Sequence, residues 1–313
     1  MKRFMFAVAI TIAVLSGRSH AQLQFNPNQV AILRWYAANL TAFIGVGNRP
    51  AGLAFDGANL WVANQSDNTV TKLRASDETI VGTFAVGNTP DGVAFDGANI
   101  WVANTGSNSV TKLRASDGTL LGTFNVGISP YGLAFDGADI WVANYGSNTV
   151  SKLRASDGAL QGTFAVGSAP LDLAFDGANI WVTSQSGNSV TKLRMSDGKA
   201  LGTFLVGRAP FGVAFDGANI WVANERSNSV TKLRASDGTT LGTFPVGNTP
   251  VGVAFDDANI WVTNSFNDSV TKLRATNGAN LGTFSGGVQP GAITFDGTNI
   301  WVASYGSNTV SKM

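Results

Sequence analysis

The sequence repeats itself with a fixed period of 40 residues. Each copy is marked by one tryptophan: Trp61, Trp101, Trp141, Trp181, Trp221, Trp261 and Trp301. A period between about 20 and 50 residues is typical of proteins built from one supersecondary unit, in which stacked neighbours bury a continuous core. This period restricts the possible folds more strongly than composition does, because each copy must make the same contacts with the next.

One unit, which begins at Pro90, contains four short strand-like runs separated by turn signals. The runs cover residues 92–95, 100–103, 109–115 and 119–126 and are rich in Val, Ile, Phe, Thr and Trp. The turns between them contain Gly, Asn and Asp, which tolerate the positive φ angles of tight hairpins. Four antiparallel strands in about 40 residues predict one blade of an all-β propeller, with the recurring Trp and Phe packed between blades.

The number of copies predicts how the ring closes. The first three runs of the unit each occur seven times, and the third run of the last copy ends at Met313. An additional fourth run, residues 40–46, precedes the first complete copy. We therefore predict one domain, residues 22–313, of seven four-stranded antiparallel blades, closed by exchange of the N-terminal strand into the last blade. Residues 30–35 duplicate a third run, and the sequence leaves open whether they form an extra strand or a plug.

Residues 1–21 have the pattern of a signal peptide. Lys2 and Arg3 precede an apolar run of 12 residues that ends at Leu15, and a small-x-small cleavage motif ends at Ala21. The run is too short to span a bilayer, and no later segment has 18 uninterrupted apolar residues. We predict an exported protein, periplasmic, secreted or on the cell surface, without a transmembrane segment. The alternative for residues 1–21 is a short buried or interfacial helix.

The composition excludes several kinds of chemistry. The chain has no cysteine, and its one histidine, His20, lies within the leader. Thiolate and histidine metal ligands, cysteine nucleophiles and the commonest general base are therefore missing after residue 21. The net charge is only +1, so we expect no nucleic-acid partner. The sequence has no motif of a nucleotide site, a serine hydrolase or a zinc protease, and we predict no bound cofactor or metal.

The stretch WVANTGSNSVTKLRASDGTLLGTF, which starts at Trp101, is followed in the first six copies by a variant of VGxxPxGVAFDG. These motifs resemble the YVTN-type β-propeller repeat of exported and cell-surface bacterial proteins, and more widely the NHL and streptogramin B lyase-like propellers. The resemblance covers residues 30–313 and implies the fold, but one architecture carries many functions. Streptogramin B lyases use histidine near the propeller axis, so the resemblance does not extend to their chemistry. Gluconolactonase-like propellers hold a divalent metal with acidic and amide side chains, a set that this sequence does not reproduce.

Charged residues that recur in every copy are best interpreted as parts of the framework. Thirteen basic residues belong to the K-x-R pattern of the third run, seven aspartates to the F-D-G/D turn and five to the S-D-G/E turn. We interpret them as turn formers and solvated strand faces. The alternative is a repeated calcium site at the F-D-G turns, but one carboxylate per turn falls short of the six to eight oxygens that calcium prefers.

Residues that differ between copies are better candidates for a functional site. They fall mainly in two stretches: the connection around the repeat proline, and the turn that follows the W-V-A/T-N/S motif. Alternate hairpin turns lie at opposite ends of a blade, so both stretches should share one face, near the mouth of the central channel. The candidate ligand-binding residues are Asp91, Tyr131, Tyr145, Asp172, Gln185, Arg208, Phe211, Glu225, Arg226, Phe266 and Tyr305. The alternatives are drift in unconstrained loops and, for Arg208, Glu225 and Arg226, a solvated ion cluster.

These observations favour a non-enzymatic binding or scaffold protein over an enzyme. A polar and aromatic mixture at a channel mouth suits a small molecule, a glycan or a peptide, and we expect the protein to be a monomer. The alternative is a lactonase- or lyase-like enzyme that uses carboxylates, with or without a metal. Asp91 and Asp172 are the acids for such chemistry, but they lie two copies apart, so we expect them not to pair. No catalytic residue is assigned.

Overall fold

The computed structural model describes residues 42–313, which form seven separate sheets of four antiparallel strands. The prediction of a seven-bladed propeller is therefore confirmed. The first strand of each blade contacts the first strands of both neighbouring blades, so seven inner strands surround the channel. The predictions for the leader, residues 1–21, and for residues 22–41 lie outside the described residues. Within the described part of the chain, no helix is long and apolar enough to cross a membrane.

The strands follow the same pattern in every blade. Blade 1 consists of β2 (Pro50–Phe55), β3 (Asn59–Asn64), β4 (Thr69–Arg74) and β5 (Ile80–Ala85). Blade 2 consists of β6 (Pro90–Phe95), β7 (Asn99–Asn104), β8 (Ser109–Arg114) and β9 (Leu120–Asn125). Blade 3 consists of β10 (Pro130–Phe135), β11 (Asp139–Asn144), β12 (Thr149–Arg154) and β13 (Leu160–Ala165). Blade 4 consists of β14 (Pro170–Phe175), β15 (Asn179–Ser184), β16 (Ser189–Arg194) and β17 (Ala200–Leu205).

Blades 5 and 6 differ from the first four by a short 3-10 turn, and blade 7 differs by taking its fourth strand from the N-terminal part of the chain. Blade 5 consists of β18 (Pro210–Phe215), β19 (Asn219–Asn224), β20 (Ser229–Arg234) and β21 (Thr240–Pro245). Blade 6 consists of β22 (Pro250–Phe255), β23 (Asn259–Asn264), β24 (Ser269–Arg274) and β25 (Asn280–Ser285). In these two blades a short 3-10 turn, η1 (Glu225–Ser227) or η2 (Ser265–Asn267), joins the second strand to the third. Blade 7 consists of β26 (Pro290–Phe295), β27 (Ile300–Ser304), β28 (Thr309–Lys312) and β1 (Ala42–Gly45).

Strand β1 closes the ring by completing blade 7. It pairs antiparallel with β28, with Ala42 opposite Lys312 and Ile44 opposite Val310. Lys312 also donates a hydrogen bond from Nζ to the carbonyl oxygen of Ala75 in blade 1, at 3.1 Å. The predicted strand exchange is confirmed, and the closed ring joins the two ends of the described chain.

The F-D-G turns are held by their aspartate. Asp96 Oδ1 accepts hydrogen bonds from the backbone N–H groups of Ala98 and Asn99, at 2.9 and 2.6 Å, while Gly97 adopts a φ of 95°. Asp96 Oδ2 accepts a hydrogen bond from Trp101 Nε1 at 2.8 Å, and the same Asp–Trp bond recurs in the other six blades. The turn-forming role is as predicted. Because N–H donors surround both carboxylate oxygens, the turn does not suit a calcium ion.

The tryptophans fill the spaces between blades. Trp101 is fully buried and packs with Ile140, Val142 and Leu153 of blade 3. The ring of Phe124 is tilted against it, with the ring centroids 5.6 Å apart. The predicted packing between blades is therefore confirmed, and a large aromatic side chain contributes strongly to stability at such a position.

Five of the seven lysines of the K-x-R pattern are buried between blades, which corrects their interpretation as part of a solvated strand face. Lys112 is 6% exposed, and its Nζ lies 5.0 Å from the ring centroid of Trp101 and donates to the carbonyl oxygen of Ala155 in blade 3, at 2.6 Å. The reason is that the polar face of one blade is covered by the next, where the charge meets a carbonyl oxygen and an aromatic ring. Arg114 remains exposed and pairs with Asp117 at 3.0 Å.

Candidate functional site

The inner strands approach one another closely because five of the seven carry glycine at the second position after the repeat proline. A Cβ on Gly52 would lie 2.0 Å from the carbonyl oxygen of Asp91, and one on Gly92 would lie 2.3 Å from that of Tyr131. Such a close backbone approach requires a residue without a side chain. The residue directly after the proline lines the channel in every blade: Ala51, Asp91, Tyr131, Leu171, Phe211, Val251 and Gly291.

These seven residues form the wall of a cavity of about 470 Å³. Turns that follow the second strands contribute Gln65, Ser265 and Tyr305 to the lining, and Gln289 comes from the connection before a repeat proline. The cavity therefore lies at the end of the channel where these turns and connections are found. Its wall differs from blade to blade, so the ring of similar blades surrounds an asymmetric site.

The two variable stretches of each copy share one face, as predicted. The backbone N–H of Gln65 donates to the carbonyl oxygen of Arg49, and that of Glu225 donates to the carbonyl oxygen of Ala209, both at 3.0 Å. The corresponding bond occurs in all seven blades and joins the turn after the second strand to the connection before the first. We call the face formed by these turns and connections the mouth surface.

Asp172 interrupts the glycine pattern of the inner strands. It occupies the position at which blades 1, 2, 3, 5 and 6 have glycine, and it lines the cavity. Its Oδ2 accepts a hydrogen bond from the backbone N–H of Val213 in blade 5 at 3.0 Å, and its Oδ1 accepts one from Leu173 at 2.9 Å. Asp172 thus links two neighbouring inner strands, and both of its carboxylate oxygens have a partner.

Asp91 lines the same cavity with one carboxylate oxygen uncommitted. Its Oδ2 accepts a hydrogen bond from Gln65 Nε2 at 3.2 Å, whereas Oδ1 accepts none from the described residues. Burial is the main cause that raises the pKa of Asp91 to about 6; the bond from Gln65 opposes this shift, and the charge of Asp172 adds to it. Burial likewise raises the pKa of Asp172 to about 6, against its two backbone hydrogen bonds.

The expectation that Asp91 and Asp172 do not pair concerns two residues that lie two copies apart in the sequence. They share no hydrogen bond, but they line one cavity and the charge of Asp172 raises the pKa of Asp91. Separation by two blades suggests a long distance along the chain. In a propeller, however, all inner strands converge on one narrow channel, where a low-dielectric wall strengthens the repulsion between like charges.

A chain of polar contacts extends from Asp91 along the mouth surface to Arg49. Gln65 donates to Asp91 and accepts a hydrogen bond from the hydroxyl of Tyr305, whose oxygen lies 3.1 Å from Gln65 Oε1. The guanidinium carbon of Arg49 lies 5.2 Å from the ring centroid of Tyr305. This chain fixes the amide orientation of Gln65, because the tyrosine hydroxyl and the carboxylate require opposite ends of that amide.

A second chain runs from Tyr131 to Glu225 across blades 3, 4 and 5. The rings of Tyr131 and Tyr145 lie 5.5 Å apart, the hydroxyl of Tyr145 donates to Gln185 Oε1 at 3.5 Å, and Gln185 Nε2 donates to Glu225 Oε2 at 3.1 Å. Burial, followed by the charge of Asp91, raises the pKa of Tyr131. The Tyr131 hydroxyl therefore stays protonated at neutral pH, available as a hydrogen-bond donor inside the cavity.

The structure brings most of the predicted residues together but leaves three of them apart. The predicted residues that line the cavity are Asp91, Tyr131, Asp172, Phe211 and Tyr305. Tyr145, Gln185 and Glu225 belong to the adjacent second chain, whereas Arg208 and Arg226 are exposed and Phe266 is 78% exposed. Within residues 42–313 neither arginine forms a salt bridge with Glu225, so the structure gives no support to the ion-cluster alternative.

Two residues of this region were not among the predicted site residues. Gln65 occupies the same turn position in blade 1 as Gln185 in blade 4, so the rule that selected Gln185 could have selected it. The hydroxyl of Thr183 accepts the backbone N–H of Asp172 at 3.0 Å and donates to the carbonyl oxygen of Phe211 at 2.7 Å. Threonine stands here where five blades have alanine, and this departure from the repeat was the available signal.

The carboxylates of the cavity do not form a metal site of the usual kind. Among the residues that the structure describes, no three His, Cys, Asp or Glu side chains come together in a group that could hold a metal ion. Both oxygens of Asp172 already accept N–H donors. Calcium prefers six to eight oxygen ligands, which this arrangement does not supply.

The fold and the site together define a seven-bladed β-propeller with an acidic and aromatic cavity at one mouth of its channel. The sequence matches no family model and no curated protein sequence. Solved structures with the same fold are nevertheless numerous, and three of them are informative.

One is a hydrazine synthase chain from Kuenenia stuttgartiensis, with a TM-score of 0.77 at 19% identity, covering 86% of this chain and 96% of that one. A streptogramin B lyase has a TM-score of 0.76 at 19% identity and covers 87% of this chain and 96% of its own. The virginiamycin B lyase of Staphylococcus aureus has a TM-score of 0.76 at 17% identity, with 87% and 98% covered. The likeness to streptogramin B lyase-like propellers is therefore confirmed for the fold.

Proposed function

We propose that this protein binds a small molecule in the cavity at the channel mouth. The observation that carries the proposal is the lining itself: the position after the repeat proline holds a different amino acid in each of the seven blades. A purely structural position would be expected to repeat, as the tryptophans do. The volume of about 470 Å³ lies within the range of small-ligand sites, roughly 300–1,000 Å³.

A cavity-filling variant tests this proposal. Val251→Trp and, on another blade, Ala51→Phe place a larger side chain in the cavity, and circular dichroism with thermal unfolding verifies that each variant folds. The matched control is Phe266→Trp, which enlarges an aromatic residue of the mouth surface outside the cavity. We expect that small cationic, neutral and anionic compounds detected by ligand-observed NMR lose binding in both filled variants and keep it in the control. Binding that persists in the filled variants would contradict the proposal.

A second candidate function is catalysis by the two carboxylates of the cavity. A pKa of about 6 suits Asp91 or Asp172 for proton transfer near neutral pH. The similar structures described above also carry the names of enzymes. The test is the initial rate of hydrolysis of a panel of γ- and δ-lactones, before and after dialysis against EDTA. Turnover that Asp91→Asn and Asp172→Asn both abolish would support an enzyme; no turnover with any lactone would favour a binding protein.

Export of the protein is a separate proposal, which rests on the leader pattern of residues 1–21. Cleavage after Ala21 would leave a mature chain that begins at Gln22. Intact mass measurement of the protein from periplasmic and culture fractions tests this directly. A cytoplasmic chain that retains its leader would contradict it.

A further inference from the structure

We infer that the cavity selects a small organic cation, an amine or quaternary ammonium compound with apolar substituents; this inference rests on the proposed function. The first argument is the charge of the wall. Asp91 and Asp172 are the charged side chains among the described residues that line the cavity, and none of those residues is basic. Two carboxylates within a concave, largely apolar wall focus a negative potential that attracts cations and excludes anions.

The hydrogen bonds indicate which carboxylate meets the ligand. Asp172 has both oxygens engaged by backbone N–H groups, from Val213 and Leu173. Asp91 receives one hydrogen bond, from Gln65, and its Oδ1 is left without a donor among the described residues. A carboxylate oxygen that faces a cavity without a donor has the capacity to accept an N–H or to contact an ammonium methyl group. Asp91 is therefore the anchor, and Asp172 contributes charge at longer range.

Aromatic rings complete the recognition of a cation. Tyr131, Phe211 and Tyr305 line the same cavity as Asp91. The negative face of an aromatic ring attracts an organic cation that has lost part of its hydration. The ring of Tyr305 is occupied by Arg49, whose guanidinium carbon lies 5.2 Å from the ring centroid. Tyr131 lies on the inner strand next to that of Asp91, and the charge of Asp91 contributes to the raised pKa of Tyr131. The pair Asp91–Tyr131 is the combination of anion and ring that suits an ammonium group.

The remaining wall distinguishes an organic cation from a metal ion. Leu53, Leu133, Leu171 and Val251 line the cavity with apolar surface that suits alkyl substituents. Calcium and magnesium ions require several oxygen ligands, and the apolar and aromatic groups of the wall supply none. An organic cation uses both parts of the wall at once, the carboxylate for its charge and the apolar surface for its carbon atoms.

The test compares choline with its neutral isostere, 3,3-dimethylbutan-1-ol, by ligand-observed NMR and calorimetric titration of the full chain. The key variant is Asp91→Asn, which keeps the size of the side chain and its bond from Gln65. The matched control is Asp257→Asn, because Asp257 is an exposed aspartate in the turn between β22 and β23, with a φ of 71° that asparagine also adopts. We expect choline to bind at least tenfold more tightly than the isostere to the wild type. We expect Asp91→Asn to remove that preference and Asp257→Asn to keep it.

The outcomes separate this inference from the proposed function. Equal binding of choline and 3,3-dimethylbutan-1-ol, or a preference that survives Asp91→Asn, would overturn the cation inference. If Val251→Trp abolishes the binding in that case, the cavity still takes a small molecule and the proposed function stands. Failure of choline to bind at millimolar concentration also overturns the inference. The proposed function would be contradicted only if, in addition, no compound of the wider panel lost its binding in the cavity-filling variants.

Discussion

At the position of Trp101 all seven blades carry tryptophan, whereas at the position of Asp91 the seven blades carry seven different residues. Both positions lie on neighbouring strands of the same blade, and the backbone repeats equally well at each. The difference lies in what the side chains contact. Trp101 is enclosed by its own blade and the next, while Asp91 borders an open cavity.

The framework is uniform because its side chains satisfy one another. Asp96 accepts from Trp101, Trp101 lies beneath Lys112, and Lys112 donates to the carbonyl oxygen of Ala155 in the next blade. Changing one member leaves a buried polar group without a partner, which is costly. Side chains of the cavity wall also contact one another, as Gln65 does with Asp91, but these contacts involve residues that differ between blades, so the repeat does not fix the composition of the wall. The two regions therefore predict opposite responses to substitution.

The largest effect is expected from Trp101→Ala. This change opens a void between blades 2 and 3 and removes one of the two hydrogen bonds that Asp96 Oδ2 accepts, the other coming from Asn99 Nδ2. We expect the free energy of unfolding to fall by about 3–5 kcal/mol, as for other large-to-small core substitutions. Urea denaturation measures the change. The control is Phe211→Ala in the cavity wall, where a much smaller loss is expected; equal losses would contradict the distinction between framework and wall.

Asp91→Asn should act in the opposite direction and stabilise the protein at neutral pH. The pKa of Asp91 is raised to about 6 from 3.8, so between pH 4 and 6 the folded state binds a proton that the unfolded state has released. The free energy of unfolding therefore falls as pH rises through this window and stays lower above it. The charged or titratable groups that act on Asp91 or border it are Asp172, Tyr131 and Tyr305.

Removal of the Asp91 charge should increase the free energy of unfolding at pH 7.5 by about 1–3 kcal/mol, since one pKa unit corresponds to about 1.4 kcal/mol. At pH 4 the gain should be small, because Asp91 is protonated in the folded state. Urea denaturation at both pH values measures the difference. Asp257→Asn serves as the control for loss of an exposed negative charge. A stability gain that is the same at pH 4 and pH 7.5 would show that Asp91 is not the titrating group.

The same comparison explains what the sequence predicts well and what it does not. The period of 40 residues and the unpaired fourth run at residues 40–46 predict seven blades and the strand exchange, because strand number and order follow from counting. The burial of Lys112 is not predictable from one blade, since the neighbouring blade creates it. The interaction of Asp91 with Asp172 depends on the width of the channel, which sequence spacing does not contain.

An intermediate effect is expected within one K-x-R pair. Lys112→Met removes the donor to Ala155 and Ser156 in the next blade, and we expect the free energy of unfolding to fall by about 1–2 kcal/mol. Arg114→Met removes an exposed contact with Asp117 and should have no resolvable effect, because solvent screens such pairs. Thermal unfolding of both variants measures the contrast. If Lys112→Met lowered the free energy of unfolding as little as Arg114→Met, both side chains would behave as solvent-exposed groups, as the sequence pattern indicates.

The smallest effects are expected at Arg226 and Phe266, the exposed members of the mouth surface. Neither lines the cavity, so Arg226→Ala and Phe266→Ala should leave both the unfolding free energy and the affinity for choline unchanged. Calorimetric titration and urea denaturation measure the two quantities. If either variant weakened binding while stability stayed constant, the ligand would have to extend from the cavity over blades 5 and 6. The functional site would then include the outer part of the mouth surface. Variable positions farther from the channel axis would also have a role in binding.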